Sequence, residues 1–576
     1  MSQLNRRQFI RLSMMGVGSA VISAGLSGCS SSSSEIQLPS GTFQHGIASG
    51  DPLTDRVILW TRVTPENEDD TQEVAASWQV ATDEGFSNLV TDGQTTTSAE
   101  RDYTVKVDAQ ELSPDTTYFY RFQSGNNTSA TGTVRTLPQG SVDQVRLLVL
   151  SCSSYPSGYF HAYAEAARVE NVNVAVHLGD YIYEYERDGY ASEKAAEMGR
   201  EVLPDSELLS LSDYRQRYAQ YRTDTDLQKL HQSVAFIAVW DDHEITNDTW
   251  KNGAENHNEG EGDFSERRDA AVQAYLEWMP IRPDITEDIA NLQRNFQFGD
   301  LVNLIMLDTR LVGRDKQLNM ADYVVNGTFN KAAYATDVGN PVRTLLGFQQ
   351  RGLLQDQLVN SSATWQVLGQ QVLMGEMELP AAVATQQLSL EQFAELAALA
   401  QQNPANLTPE QQQLLAEKGA LLTLGNLPYN QDAWDGYPVE RATILSTAVG
   451  KNANLVVLAG DTHNGWANDL VLESGGSQVN AGVEFATAGV SSPGLEEYLK
   501  LDTPQKTLQT EAALQGLITT LKYVNVSNRG FLTVTFTPEE ATAQWTYVSD
   551  VTQQAYNVLN DRSAQRVVKA GSNKLT

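Results

Sequence analysis

The chain has 576 residues, which is too long for one ordinary domain and predicts at least two hydrophobic cores. Its composition, 41% hydrophobic and 8% aromatic, is typical of a globular protein. The formal net charge is −32, from 40 basic and 72 acidic residues, and this argues against nucleic acid binding through a general basic face. An acidic surface keeps a protein soluble in salt and suits an environment that contains calcium.

The N-terminus carries a pattern typical of an export signal. Arg6 and Arg7 are paired, and a weakly apolar stretch broken by Gly and Ser follows at residues 12–28. This order predicts a twin-arginine signal peptide over residues 1–29, too short and too rich in Gly and Ser for a membrane-spanning helix. We therefore expect a protein exported to the periplasm or cell envelope, or secreted.

The chain contains two cysteines, Cys29 and Cys152, so no disulfide framework is predicted. Cys29 ends the sequence Leu26-Ser27-Gly28-Cys29, which resembles the lipobox of bacterial lipoproteins. Residues 30–40 are rich in serine and would form a flexible tether. We favour a lipoprotein, whose membrane contact is an N-terminal lipid, over a plain cleaved signal with an incidental cysteine.

Residues 41–138 have the pattern of a small all-β domain. Apolar and polar residues alternate in this region, as in the segment where Tyr103, Val105 and Val107 share one face. Short strands separated by Asp, Gly, Pro and Asn predict an immunoglobulin-like or fibronectin-like sandwich. This region offers no catalytic constellation.

Residues 145–550 have the pattern of an α/β catalytic domain. Five apolar runs there end in polar residues that are able to bind metal or to lie near it; the runs are 146–150, 172–178, 234–239, 301–307 and 455–459. Buried strands with ligands just past their carboxyl ends build the sites of open α/β sheets. The fold prediction is therefore a layered α/β domain preceded by the β-sandwich.

Two further segments of the chain have predictable features. Near residues 388–419 a helical insertion is predicted, because Ser389 with Gln392 and Thr408 with Gln411 resemble capping boxes. Residues 551–576 form a C-terminal tail, which would either cover the cleft or extend freely.

The polar residues after the strands include donors that suit metal ions. They are Cys152, Asp180, Tyr183, Asp242, His243, Asp461 and His463. An aspartate at a strand end is often a helix cap, and a lone buried cysteine is usually inert. The coincidence of carboxylate, imidazole, phenol and thiol after successive strands favours metal binding over these structural alternatives.

These residues resemble the motifs of the metallophosphoesterase superfamily and, within it, of the alkaline phosphatase D family. The four motifs are Ser151-Cys152, Gly179-Asp180-x-x-Tyr183, Asp241-Asp242-His243-Glu244 and Gly460-Asp461-Thr462-His463. Further matches are the segments 45–52, 60–62, 267–268, 307–310 and 434–437. The resemblance covers nearly the whole mature chain and implies a phosphoric ester hydrolase.

The resemblance also implies a centre that holds Fe³⁺ and Ca²⁺. Thiolate and phenolate suit ferric iron, so iron is assigned to Cys152, Asp180 and Tyr183, and added carboxylates suit calcium. Asp180 would bridge the metals, with Asp242, Asp461 and His463 as the other ligands.

Catalysis would then use a metal-activated hydroxide that attacks phosphorus. His243 would stabilise the transferring phosphoryl group or protonate the leaving oxygen. Arg268 would clamp the phosphate with its guanidinium group, unless it is simply a surface arginine of a helix.

The predicted function is the hydrolysis of small phosphate monoesters, diesters or both, including nucleotide esters, to scavenge phosphate outside the cytoplasm. One alternative is a phospholipase-like or cell-wall-polymer phosphodiesterase of the same family. A second is a non-catalytic calcium-binding or metal-storing surface lipoprotein. The sequence predicts neither the natural substrate nor the oligomeric state.

Overall fold

A computed structural model describes residues 39–65, 72–282, 292–325, 328–385 and 387–576. The predicted signal peptide, the lipobox and residues 30–38 of the tether lie outside the described residues. Within these ranges, no helix combines the length and the apolar character needed to cross a bilayer.

Strands occur along the whole described chain. The first ten are β1 (Gly41–Thr42), β2 (Ile47–Gly50), β3 (Val57–Arg62), β4 (Thr64–Pro65), β5 (Val74–Ala81), β6 (Leu89–Thr97), β7 (Thr104–Ala109), β8 (Thr117–Ser124), β9 (Asn127–Thr128) and β10 (Gly132–Arg135). The others are β11 (Val145–Leu150), β12 (Val174–His177), β13 (Phe236–Ala238), β14 (Arg294–Phe298), β15 (Val302–Met306), β16 (Val324–Val325), β17 (Thr328–Phe329), β18 (Trp365–Gly369), β19 (Glu378–Pro380), β20 (Asn426–Pro428), β21 (Asn454–Ala459), β22 (Gly465–Ser474), β23 (Ser477–Ala486), β24 (Leu521–Asn525), β25 (Arg529–Phe536), β26 (Glu540–Val548) and β27 (Ala564–Lys569).

The described α-helices begin after residue 160. They are α1 (His161–Ala166), α2 (Ala195–Met198), α3 (Leu211–Tyr221), α4 (Thr225–Ser233), α5 (Phe264–Trp278), α6 (Lys331–Val338), α7 (Phe348–Asn360), α8 (Ala381–Ala384), α9 (Leu390–Ala400), α10 (Pro409–Lys418), α11 (Pro438–Lys451), α12 (Leu495–Tyr498) and α13 (Pro504–Leu517).

Two large sheets form the centre of the fold. The nine-stranded sheet has the order β27-β26-β25-β11-β12-β13-β2-β3-β7, and the seven-stranded sheet has the order β14-β15-β18-β21-β23-β22-β24. β11, β12 and β13 are parallel neighbours, as are β15, β18, β21 and β23. The layered α/β prediction is confirmed, although the five predicted strands are divided between two sheets and do not form one open sheet.

The alternation of side chains along β15 explains how the layers stack. Leu304 and Met306 belong to the hydrophobic cluster that also contains the residues of β11–β13, whereas Ile305 packs with residues of α7 and α11. Successive side chains of a strand point to opposite faces, so β15 has one face toward the nine-stranded sheet and one toward helices. Residues of α1, α3, α4 and α5 pack into the first cluster and cover the nine-stranded sheet.

The predicted N-terminal sandwich shares one of its layers with the catalytic domain. A five-stranded sheet has the order β10-β8-β5-β6, with β9 beside β8. Its core residues, such as Val80 and Tyr120, pack with Leu59 of β3 and Val105 of β7. Since β3 and β7 belong to the nine-stranded sheet, hydrogen bonding is continuous across the predicted boundary near residue 138.

Gly50 lies where β2 pairs with β13 in the nine-stranded sheet. It is the register partner of Phe236 at the junction of β2 and β13. A Cβ atom at residue 50 would lie 2.0 Å from the carbonyl oxygen of Pro280 and 2.7 Å from that of Phe236. Only glycine allows this close approach of three backbone segments.

The insertion and the C-terminal segment also acquire definite positions. Both predicted capping boxes are present, at the N-termini of α9 and α10. The predicted tail, residues 551–576, does not extend freely, because its strand β27 pairs with β26 at the edge of the nine-stranded sheet. The Val551 carbonyl accepts a hydrogen bond of 2.7 Å from the Tyr159 N–H.

Candidate metal centre

The predicted metal ligands lie where the parallel strands of the two sheets end. Four of them have left-handed backbone conformations, with φ of 61° at Cys152, 53° at Asp180, 62° at Asp461 and 59° at His463. Such conformations cost non-glycine residues about 1–3 kcal/mol and persist only where the surrounding structure enforces them. Their concentration at these strand ends is typical of a functional site.

Backbone hydrogen bonds hold the strand ends of the first two motifs together. The Cys152 N–H donates to the Gly179 carbonyl at 3.2 Å, and the Ser153 N–H donates to the Asp180 carbonyl at 2.8 Å. Gly179 has a φ of 104°, and a Cβ there would lie 2.5 Å from the backbone nitrogen of Asp241. Glycine therefore lets the second and third motifs approach each other.

The ligand atoms form three overlapping groups that are able to hold metal ions. The groups are Cys152, Asp180 and His463; Asp180, Asp242 and His243; and Asp241, Asp242 and Asp461, each with its ligand atoms within 4.8 Å of one another. Asp180 is shared by the first two groups and Asp242 by the last two. The structure thus brings together every predicted ligand of these residue types, and it adds Asp241, which the sequence analysis left without a role.

Tyr183 completes the first group through its hydroxyl. This hydroxyl donates to Asp180 Oδ2 at 3.2 Å, lies 3.2 Å from His463 Nε2 and accepts from Ser492 Oγ at 2.7 Å. Burial, followed by the nearby Asp180 carboxylate, raises the pKa values of Tyr183 and Cys152 well above their ordinary values. Thiolate and phenolate ligands therefore require the positive charge of a cation here.

Three buried carboxylate oxygens of the centre have no hydrogen-bond partner among the described residues. They are Asp180 Oδ1, Asp241 Oδ2 and Asp242 Oδ1, and each belongs to at least one of the three groups. A buried oxygen without a partner is costly, and a cation would satisfy it. The donor set therefore fits metal ions, with sulfur and phenol on one side and carboxylates on the other.

Arg310 is a functional residue that the sequence analysis matched but assigned no role. It is fully buried and forms ion pairs with four aspartates: Asp241, Asp242, Asp432 and Asp461. Its Nη1 binds both carboxylate oxygens of Asp432, at 2.9 and 2.8 Å. Arg310 neutralises part of the negative charge and fixes the carboxylates. The sequence signal for Arg310 was its position just after the apolar run 301–307.

Glu184 is a second residue that the sequence analysis missed, although it directly follows Tyr183. Its buried carboxylate lies 2.7 Å from His243 Nδ1 and accepts from the Asn247 N–H at 2.7 Å. Burial alone would lower the pKa of His243, but the carboxylates of Glu184, Asp242 and Asp180 together raise it well above its ordinary value. These contacts orient His243 beside the ligands and favour its protonated form.

Arg268 lies apart from these contacts. It forms an ion pair of 3.0 Å with its neighbour Asp269 on α5, and its side chain is 24% exposed. Its role as a phosphate clamp stays a prediction.

Two cavities border the centre on either side of His463. A wide cavity of about 840 Å³ is lined by residues that include Tyr190, Pro493 and Arg529. A narrow cavity of about 190 Å³ is lined by residues that include Asp461 and His463 themselves. His463 Nδ1 donates to the Pro493 carbonyl at 2.6 Å, which places this histidine next to both spaces.

Comparison with known proteins gives a consistent result for both parts of the chain. The sequence model of the PhoD-like phosphatase family matches residues 147–545, and that of its N-terminal domain matches residues 28–138. Alkaline phosphatase D of Bacillus subtilis (strain 168) is 32% identical over 522 residues, which are 89% of this chain and 78% of the relative. A solved structure of PhoD is 29% identical with a TM-score of 0.73, covering 95% of this chain and 93% of the other.

The fold, the ligand groups and these likenesses define the protein as a phosphoric ester hydrolase. The chain belongs to the PhoD-like phosphatase family.

Proposed function

We propose that this protein is an exported, metal-dependent alkaline phosphatase or phosphodiesterase that scavenges phosphate from small esters. The observation that carries the proposal is the set of overlapping ligand groups, in which three buried carboxylate oxygens lack hydrogen-bond partners among the described residues. The paired Arg6 and Arg7 and the lipobox-like sequence that ends at Cys29 support export through the twin-arginine pathway and an N-terminal lipid.

The donor chemistry supports two kinds of metal in this centre. Cys152, Asp180 and Tyr183 suit Fe³⁺, and His463 joins them because its Nε2 lies 3.2 Å from the Tyr183 hydroxyl. The carboxylates of Asp242 and Asp461 suit Ca²⁺, with Asp180 between the two sets. When bound, the metals supply positive charge for the phosphate oxygens and for the attacking water.

His243 is the residue best placed to move a proton. Its Nδ1 is held by Glu184 at 2.7 Å, so its Nε2 is the atom left to donate to an oxygen of the substrate. The ring packs against Tyr183 with 4.2 Å between centroids, which fixes its plane. We assign to His243 the stabilisation of the phosphoryl group or the protonation of the leaving oxygen.

Arg310 contributes by positioning. It contacts carboxylates from three separate segments of the chain, at Asp241, Asp432 and Asp461, and it is fully buried. Its guanidinium group therefore keeps the carboxylates at fixed separations and limits the repulsion between them.

The experiment that tests the proposal measures hydrolysis of 4-nitrophenyl phosphate and of bis(4-nitrophenyl) phosphate, with calcium and then with a calcium chelator. We expect turnover that the chelator abolishes and that added calcium restores, and the preferred ester separates phosphatase from phosphodiesterase. Unchanged turnover after removal of all bound metal, or no turnover by metal-loaded protein, would overturn it.

A further inference from the structure

The narrow cavity beside Asp461 and His463 has walls of a particular chemistry. Leu373, Met377 and Trp466 contribute apolar surface to it. Two aromatic residues at its border, Tyr429 and Tyr498, are 46% and 63% exposed. The cavity therefore combines apolar wall surface with the polar side chains of Asp435, Asp461 and His463, and tyrosine rings border it toward solvent.

The size of the cavity limits what it holds. Its volume is about 190 Å³. For comparison, an apolar cavity of about 150 Å³ in another protein binds benzene. One aromatic ring fits the space, and Trp466 offers a ring for offset-stacked or edge-to-face contact.

The position of the cavity connects it to the reaction. Asp461 and His463 belong both to the ligand groups and to the cavity wall. An ester whose phosphate lies at the metal centre therefore has this cavity available for its organic group.

We infer that the narrow cavity binds the organic group of the ester and favours a single aromatic ring. The substrate class is thus an aryl or heteroaryl phosphate ester. This inference rests on the proposed function, because it places the phosphate of the same substrate at the metal centre.

The test compares the binding of two non-hydrolysable probes, phenylphosphonate and methylphosphonate, to the metal-loaded protein by calorimetry. We expect phenylphosphonate to bind at least about tenfold more tightly, since burial of apolar ring surface adds affinity. Ala433 lies in the cavity wall and is 3% exposed, so Ala433→Leu would fill the space and remove the preference.

Two further variants keep the test decisive. Met377→Phe fills the same cavity and replaces Ala433→Leu if that variant does not fold. Ala335→Leu makes the same substitution at an exposed position of α6 and must leave the preference unchanged.

The outcomes separate this inference from the proposed function. Equal affinity for both phosphonates, or equal weakening of both by the filling variants, would overturn the inference while the chain still hydrolyses esters. Preference for the ring without any ester hydrolysis would instead refute the proposed function.

Discussion

Two pairs of buried histidines in this molecule have different surroundings. His177 and His231 lie behind the metal centre, where each accepts or donates a hydrogen bond with a tyrosine hydroxyl, at 2.8 and 2.9 Å. His243 and His463 lie in the centre and face the ligand carboxylates. All four residues are at most 8% exposed, so burial does not distinguish the pairs.

The neighbouring groups decide how the pKa values of these histidines differ. Burial lowers the pKa of His177 to about 3, and burial with the nearby Arg222 lowers the pKa of His231 well below its ordinary value. The pKa of His243 is raised because carboxylates outweigh the effect of burial. Burial thus favours the neutral forms of His177 and His231, whereas the neighbouring carboxylates favour the protonated form of His243.

The largest effect is expected when a ligand that two of the ligand groups share is replaced. Asp180→Asn should lower kcat/KM by roughly a thousandfold or more and reduce bound metal, because Asp180 belongs to two ligand groups. Metal content by elemental analysis and hydrolysis rates check this, and circular dichroism controls for folding. A folded variant with full metal content and full activity would contradict the assignment.

Replacement of His243 should have the next largest effect. His243→Ala should lower kcat by about 10²–10⁴-fold, as is usual for loss of a general acid. Glu184→Gln should lower kcat by about tenfold, because the amide oxygen still accepts from Nδ1 but the carboxylate charge is lost. Steady-state kinetics measure both. If kcat is unchanged in His243→Ala, the proton-transfer role is wrong.

The matched substitution of a histidine outside the metal centre should leave catalysis intact. His177→Phe keeps a ring in the core but leaves the Tyr163 hydroxyl without its partner, a cost of about 1–3 kcal/mol in the free energy of unfolding. We expect a lower melting temperature and a kcat within about twofold of the unsubstituted protein. A loss of kcat as large as that of His243→Ala would remove the distinction between the pairs.

Neighbouring charges also decide the pKa values of buried carboxylates. The smallest expected effect is the one that Asp435 has on stability. Burial raises the pKa of Asp435 to about 7, whereas Arg310 and His243 outweigh burial at Asp242 and lower its pKa to about 2. The folded protein thus retains a proton on Asp435 that the unfolded chain loses above pH 4, so this residue reduces stability as the pH rises from 4 to 7.

The substitution Asp435→Asn tests whether Asp435 reduces stability as the pH rises. Between pH 5 and pH 8, the melting temperature of the unsubstituted protein should fall relative to that of the variant, because the variant has no proton to release at this position. Thermal unfolding at both pH values provides the measurement. A difference that is constant with pH would show that Asp435 is already ionised at pH 5.

Much of this architecture was predictable because the signals are local. Apolar runs predicted the five central strands, and polar residues directly after them predicted ligands such as Cys152 and Asp180, since parallel strands expose their carboxyl ends at one edge. The capping residues Ser389 and Thr408 likewise predicted the starts of two helices.

The remaining features depend on contacts between distant parts of the chain. Arg310 meets Asp241 across 69 residues, and Gly50 pairs with Phe236 between regions that the sequence divides into separate domains. No local pattern encodes which strands share a sheet, so the two-sheet arrangement and the shared N-terminal layer were not predicted. The role of Glu184 was missed for the same reason, because its partner His243 lies 59 residues away.

The most direct test of the metal centre is an anomalous diffraction measurement on crystals of active protein, at wavelengths that identify iron and calcium. We predict an iron peak among Cys152, Asp180, Tyr183 and His463, and a calcium peak beside Asp242 and Asp461. Crystals that dissolve to active enzyme but show no metal at these residues, or show it elsewhere, would contradict the account.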